Sequence, residues 1–136
     1  MSSKRILVID DEPDIRELAQ MSLEMVSGWQ VLTAESGNQG IAKAKQENPD
    51  AILLDAMMPD VDGYEVLRHI RANSRTADLP VIFLTAKSTP ADIEKGVALG
   101  ANHYITKPFS GLDLIRKVRL CLQARTPRDL EPHPVG

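Results

Sequence analysis

Cysteine is nearly absent: the 136 residues hold one, Cys121. A lone thiol closes no internal disulfide, and Cys121 falls among apolar residues at helical spacing, where it reads as a small buried hydrophobe; a reducing, cytoplasmic setting fits. Histidine is sparse too. His69, His103 and His133 share no metal-ligand spacing with one another or with the cysteine, which excludes a zinc centre. No apolar run approaches bilayer thickness, and the short Ile6-Leu7-Val8-Ile9 stretch behind Lys4-Arg5 is cut off by Asp10, Asp11 and Glu12, too early for a signal peptide. No membrane partner is expected. Charge of neither sign dominates: the net value is −3 and the basic residues are scattered, so no direct contact with nucleic acid is expected either.

What is present is a repeating alternation. Short apolar runs rich in β-branched residues (Ile6 to Ile9, Val31-Leu32, Ala51 to Leu54, Val81 to Leu84, Tyr104-Ile105) are separated by amphipathic segments. Continuous runs, as opposed to alternating ones, describe strands covered on both faces, which is how a parallel sheet between helices is written, so the class is α/β. Pro13 suits a first helical turn with Asp11 and Glu12 complementing the dipole, while Ile15, Leu18, Ala19 and Met25-Val26 supply an inward stripe that Gly28 ends. Ser36 caps a second helix running to about Asn48, in which Gly40 costs about 1 kcal/mol relative to alanine. Asp62 caps a third helix bearing Val66, Leu67 and Ile70, and a fourth lies between Thr89 and Leu99, closed by Gly100 in a left-handed turn. From Ser110, residues Leu114, Ile115, Val118, Cys121 and Leu122 form the apolar face of a fifth, with Arg116, Lys117 and Arg119 outward. Residues 1–123 thus read as one domain. The remainder, 124–136, holds three prolines and no apolar periodicity and reads as a disordered tail too short to be an effector, so output is expected to pass through another molecule.

In an open parallel sheet, functional side chains collect at the carboxyl ends of the strands. The first strand ends in Asp10-Asp11, the third in Asp55, the fourth in Thr85 and the fifth in Lys107. Taken singly, Asp10-Asp11 reads equally well as dipole-compensating acids, Thr85 as a turn hydroxyl and Lys107 as a solvated lysine before a proline. Asp55 differs, because a carboxylate closing Ala51-Ile52-Leu53-Leu54 is costly to bury unpaired and only the other strand ends can supply partners. Three carboxylates within about 4 Å repel by roughly 4 kcal/mol per pair at an effective dielectric near 20, so a cation belongs among them. Magnesium, which takes oxygen ligands and keeps several waters, suits such a set, and manganese can substitute. The inventory is one for phosphoryl transfer.

The segments KRILVIDDEPD, AILLDAMMPDVDGYEVL, PVIFLTA and GANHYITKPF, in this order and over nearly the whole chain to about Gln123, resemble the response-regulator receiver family of two-component signalling. The resemblance implies a flavodoxin-like (βα)5 fold, a doubly wound parallel sheet of strand order 2-1-3-4-5, here as a stand-alone receiver. It implies a phosphorylation-dependent switch and not a classical enzyme: Asp55 as phosphoacceptor and metal ligand, Asp11 as direct ligand, Asp10 acting through water, and Met57 giving its backbone carbonyl. Lys107 would neutralise the phosphoryl oxygens, with a cis bond between it and Pro108, and Thr85 and Tyr104 would form a switch pair. Met57 and Lys87 would flank the phosphoryl group and tune its lifetime. The implied partners are a sensor histidine kinase or phosphotransfer protein and a downstream target read through roughly Thr89 to Gln123, the fourth helix, fifth strand and fifth helix, with a phosphorylation-linked homodimer as a further option.

Three rivals share parts of this pattern. A haloacid-dehalogenase-like phosphatase also phosphorylates an aspartate at a strand end, but it wants a second acid two residues on, where this chain has Met57, and it needs room for a cap. A flavodoxin-like FMN binder would have the same fold, but aromatics are few and no phosphate-cradling hydroxyl loop follows the first strand; dinucleotide and P-loop signatures are absent as well. The remaining alternative is a receiver-shaped interaction module that works without phosphorylation, whose mark would be a missing acceptor, acid or lysine.

Overall fold

The computed structural model describes residues 3–86 and 89–123. Five strands, β1 (Lys4–Ile9), β2 (Trp29–Ala34), β3 (Ala51–Asp55), β4 (Val81–Thr85) and β5 (His103–Thr106), alternate with five helices, α1 (Pro13–Leu23), α2 (Gly37–Glu47), α3 (Gly63–Ala72), α4 (Pro90–Ala98) and α5 (Gly111–Gln123). All neighbouring strands are parallel, and their order is β2-β1-β3-β4-β5, the doubly wound arrangement expected.

The alternation of side chains along the strands divides the interior into two layers. Leu7, Ile9, Ile52, Leu54, Val81 and Phe83 point to one face, where Ala44, Val66, Leu67 and Ile70 of α2 and α3 cover them. Ile6, Val8, Leu53, Ile82 and Leu84 point to the other, against Ala19 and Leu23 of α1 and Leu114, Val118 and Cys121 of α5. In the three inner strands the runs Ile6 to Ile9, Ala51 to Leu54 and Val81 to Leu84 are continuously apolar because both faces of the sheet are buried there.

Local chemistry fixes where the helices begin. The side chains of Ser36, Asp62 and Thr89 accept from the backbone N–H groups of Gln39, Glu65 and Asp92. Ser110 and Asp113 cap α5 reciprocally, each N–H donating to the other's side chain at 3.0 and 3.1 Å. Gly100 has φ +103°, the left-handed turn foreseen after α4. Gly40 repays its helical cost by proximity, since a Cβ there would stand 2.5 Å from Ile9 Cδ1; α2 can lie on β1 only without that atom.

Helix α1 departs from expectation. It ends at Leu23, about a turn before Gly28, whose φ of +85° serves the turn into β2. Met25 therefore lies outside the helix and is exposed, as is Leu18, and the buried side of α1 is Ala19, Ser22 and Leu23. The amphipathic stripe was overextended because an apolar pair in a turn has the same spacing as one in a helix. The tail expected over 124–136 lies outside the described residues.

Candidate functional site

The ends of β1, β3 and β4 and the residue after β5 form one rim. β1 and β3 are in register from Ile6 opposite Ala51 to Ile9 opposite Leu54, so Asp10 and Asp55 leave adjacent strands at the same level. Asp55 is opposite Leu84, and Thr85 is opposite Thr106. The Lys107 N–H donates to the Thr85 carbonyl at 2.8 Å, and the bond between Lys107 and Pro108 is cis.

The Lys107 ammonium sits among acids: Nζ is 3.0 Å from Asp10 Oδ2, 3.3 Å from Glu12 Oε1 and 3.5 Å from Asp55 Oδ1. Asp10 is fully buried, and Asp55 and Thr85 are each 3% exposed. The Glu12 N–H donates to Asp10 Oδ1 at 2.9 Å and the Met57 N–H to Asp55 Oδ1 at 3.1 Å. These bonds hold one oxygen of each carboxylate. The other oxygens, Asp10 Oδ2 and Asp55 Oδ2, are buried without a hydrogen bond, and Asp10 Oδ2 keeps only its charge contact with Lys107.

Such a site strains its acids. Burial pushes the Asp55 carboxyl up to about 7, with the Asp10 charge adding to the rise and the Met57 N–H and Lys107 working against it. Burial raises Asp10 likewise, offset in part by the Glu12 N–H and by Lys107. For Lys107 burial disfavours the ammonium, but Asp10, Asp55 and Glu12 together outweigh it and lift its pKa. One lysine is too little positive charge for this many carboxylates.

The residues fit a divalent cation. Asp10, Asp11, Glu12 and Asp55 each bring an oxygen within 4.8 Å of the others, and the unbonded Asp55 Oδ2 is a buried acceptor lacking a donor. Hard oxygen donors without sulfur or imidazole select magnesium or manganese over zinc.

The structure thus brings Asp10, Asp11 and Asp55 together with Lys107, and puts Thr85 at the neighbouring strand end. The Met57 side chain projects outward, 58% exposed. Tyr104 stands apart from the acids: its ring packs 5.5 Å from that of Phe83, and its hydroxyl donates to the Asp92 and Ile93 carbonyls of α4. Lys87 lies outside the described residues.

Two participants escaped the sequence reading. Glu12, taken only as a dipole-compensating acid, reaches Lys107 and joins the acidic group. Asp60, not singled out at all, accepts from the N–H groups of Gly37 and Asn38 at 3.0 and 3.1 Å, tying the loop after β3 to the start of α2. Burial nudges its carboxyl up, but these bonds outweigh that and hold it below the usual carboxylate range. The only sequence signal for Asp60 was its place in MMPDVDG, where Asp62 already explained the helix start.

A doubly wound parallel sheet with clustered aspartates and a lysine at its carboxyl rim has the architecture of a receiver domain. The profile of the response regulator receiver domain matches residues 6–119, and the chain belongs to that family. Among curated proteins it is 41% identical to the phosphate regulon transcriptional regulatory protein PhoB of Pseudomonas aeruginosa, over 100% of this chain and 59% of that protein. It is 45% identical to the DNA-binding dual master transcriptional regulator RpaA of Synechocystis, over 91% of this chain and 51% of that one. Among solved structures, the chemotaxis protein CheY4 of Vibrio cholerae superposes with a TM-score of 0.85 at 30% identity, covering 89% of this chain and all of the other. The chain spans about half the length of the curated relatives it matches. It is accordingly a receiver domain of the two-component response-regulator kind, a signalling switch and not a classical enzyme, of a family that binds Mg2+ at a cluster of acids like this one.

The relatives correct one expectation. Direct involvement of nucleic acid was excluded on the even charge of these 136 residues, yet relatives matched over nearly the whole chain are transcriptional regulators, one of them DNA-binding by name. The charge of one domain carries no information about segments joined to it in a longer protein, and the same reasoning undercuts the inference that output must pass to a separate molecule. No helix among the described residues is long and apolar enough to cross a membrane.

Proposed function

We propose that this chain accepts a phosphoryl group on Asp55 from a histidine kinase or phosphotransfer protein in the cytoplasm, and that the modification changes the surface formed by α4, β5 and α5. The observation that carries this reading is the Asp55 carboxylate, buried at a strand end with one oxygen lacking any hydrogen-bond donor. A carboxylate kept so poorly solvated is a better nucleophile than one dispersed in water.

Attack by Asp55 on the phosphorus forms the acyl phosphate while the donor's P–N or P–O bond breaks. The Lys107 ammonium, 3.5 Å from Asp55, would take up charge on the phosphoryl oxygens, and the Thr85 hydroxyl would donate to one of them. Asp11, Asp55 and the Met57 carbonyl would hold Mg2+ directly, with Asp10 acting through water; the ion supplies neutralisation of the phosphoryl charge. Movement of Thr85 toward the new group and of Tyr104 after it would transmit the change to the α4 side. Two states with different affinity for a doubly charged group are what such a switch requires. The relatives extend the reading: the changed surface governs a transcriptional output, with homodimerisation on phosphorylation as one route.

Acetyl phosphate with Mg2+ tests the core of this. One phosphoryl mass is expected on the wild-type chain and none on Asp55→Ala; incorporation into both rejects Asp55 as the acceptor in favour of another residue, and incorporation into neither favours an interaction module independent of phosphorylation. Met57 offers little hydrogen bonding to hydrolytic water and obstructs its approach. Replacement with Asn should therefore shorten the acyl-phosphate half-life several-fold, read as loss of label.

A further inference from the structure

Helix α4 is held to the sheet by little. Among its described residues only Gly96 is buried. Directly beneath lies Tyr104, whose hydroxyl donates to the Asp92 carbonyl at 3.3 Å and the Ile93 carbonyl at 3.2 Å. The phenol is the end of a row of rings, Tyr64, Phe83 and Tyr104, with centroids 5.1 and 5.5 Å apart. Lys95 of α4 places its ammonium 4.3 Å from the centroid of the Tyr64 ring at the other end.

The space for the phenol exists because residue 96 has no side chain. A Cβ there would overlap the Tyr104 hydroxyl oxygen, come within 2.7 Å of its Cζ and within 3.2 Å of Phe83 Cε2. Glycine in a helix interior is disfavoured relative to alanine, so α4 forgoes intrinsic stability at the single place where the ring enters.

We propose that Gly96 is a positioning residue, a socket that seats the Tyr104 phenol and thereby docks α4, so that the occupied socket is the latch on the α4 surface. The inference rests on the reading of Tyr104 as part of the switch. With the ring seated, the one Tyr104 hydroxyl proton bonds two α4 carbonyls in a bifurcated arrangement and the ring fills the gap at Gly96. With the ring withdrawn that bifurcated bond is lost and the gap stands open, leaving Lys95 over Tyr64 as the side-chain tie described for that end of the row. Ring position and helix position are thus mechanically linked at one residue that touches neither Asp55 nor the acids.

A double-mutant cycle on the full chain tests the socket without any phosphorylation. Gly96→Ala should lower the thermal unfolding midpoint when Tyr104 is present and raise it in the Tyr104→Ala background, where the vacated space accepts a methyl group and alanine is the better helix former. Shifts of the same sign and size in both backgrounds overturn the proposal. The second arm needs no Tyr104→Ala: with Tyr64→Phe and 3-fluorotyrosine labelling, the one 19F resonance reports Tyr104. Gly96→Ala should move it to the position of a solvent-exposed tyrosine and abolish its shift on treatment with acetyl phosphate and Mg2+, while the added phosphoryl mass remains. An unmoved resonance overturns the socket. Absence of the added mass in the wild type would instead reject the phosphoryl reading, and the stability cycle would still decide the socket by itself.

Discussion

Two cationic side chains serve opposite edges of the same sheet, and they are treated in opposite ways. At the amino ends of β4 and β5, the Arg71 guanidinium donates to the carbonyls of Ala77, Leu79 and Gly100 and to Asn102 Oδ1. Asn102 Oδ1 also accepts from the Val81 N–H at 2.8 Å. Donors and acceptors are matched, so the end of α3, the loop before β4 and the turn before β5 are clamped as a unit. At the carboxyl edge Lys107 is outnumbered by acids, and buried oxygens of Asp10 and Asp55 go without hydrogen bonds. The complete cluster holds the fold, and the incomplete one leaves work for a ligand.

That contrast can be broken from either side. The largest effect on folding is expected from Arg71→Met, which strips the carbonyls of Ala77, Leu79 and Gly100 of their donor: about 3 kcal/mol of stability should be lost in denaturant titration, with phosphoryl uptake retained by the molecules that fold. A loss below about 1 kcal/mol would mean that water replaces the guanidinium, and the amino edge would not be the rigid one.

The carboxyl edge should respond with the opposite sign. Asp55→Asn removes a buried, repelled charge, so the metal-free protein should gain about 1 kcal/mol, and the rise in melting temperature on adding Mg2+ should shrink or vanish. A destabilised Asp55→Asn chain in metal-free buffer would show that the carboxylate is better solvated than its surroundings imply.

Proton uptake sharpens the same point. The Asp55 pKa is raised on folding from an ordinary carboxylate value to about 7, so the folded state binds the proton more tightly than the unfolded one. Without metal, stability should therefore grow as the pH falls from about 7 toward 4, and this gain should be missing in Asp55→Asn. Stability falling steadily over that window in the absence of metal would contradict it. The smallest effect belongs to Asp60→Asn at the loop after β3. It weakens two N–H bonds at an exposed position and should cost about 0.5 kcal/mol, visible as faster amide exchange at Gly37 and Asn38 more than as a change in melting temperature.

The carboxyl rim was readable in advance because each of its members ends or follows an apolar run, and parallel strands put such ends side by side. The amino edge was not. Arg71 follows Ile70 at the end of an amphipathic helix, where an arginine ordinarily faces solvent or the helix dipole, and its acceptors are mostly backbone carbonyls that any sequence would supply. Glu12 and Asp60 were obscured for a similar reason, each having an adequate local role as a helix-start or turn acid. Met25 erred in the other direction, since apolar spacing alone does not say where a helix stops.

The amino-acid sequence by itself determined the strand and helix alternation, the buried character of both sheet faces, the caps at Ser36, Asp62 and Thr89, and the meeting of Asp10, Asp55 and Lys107. Those follow from periodicity, propensity and the rule that parallel strands align their ends. Only the tertiary structure decided that one oxygen each of Asp10 and Asp55 is left without a hydrogen bond, that Arg71 clamps the far edge, and that the gap at Gly96 is filled by a ring from β5. Each of these depends on distances between segments far apart in the chain, and side-chain identity does not encode such distances until packing sets them.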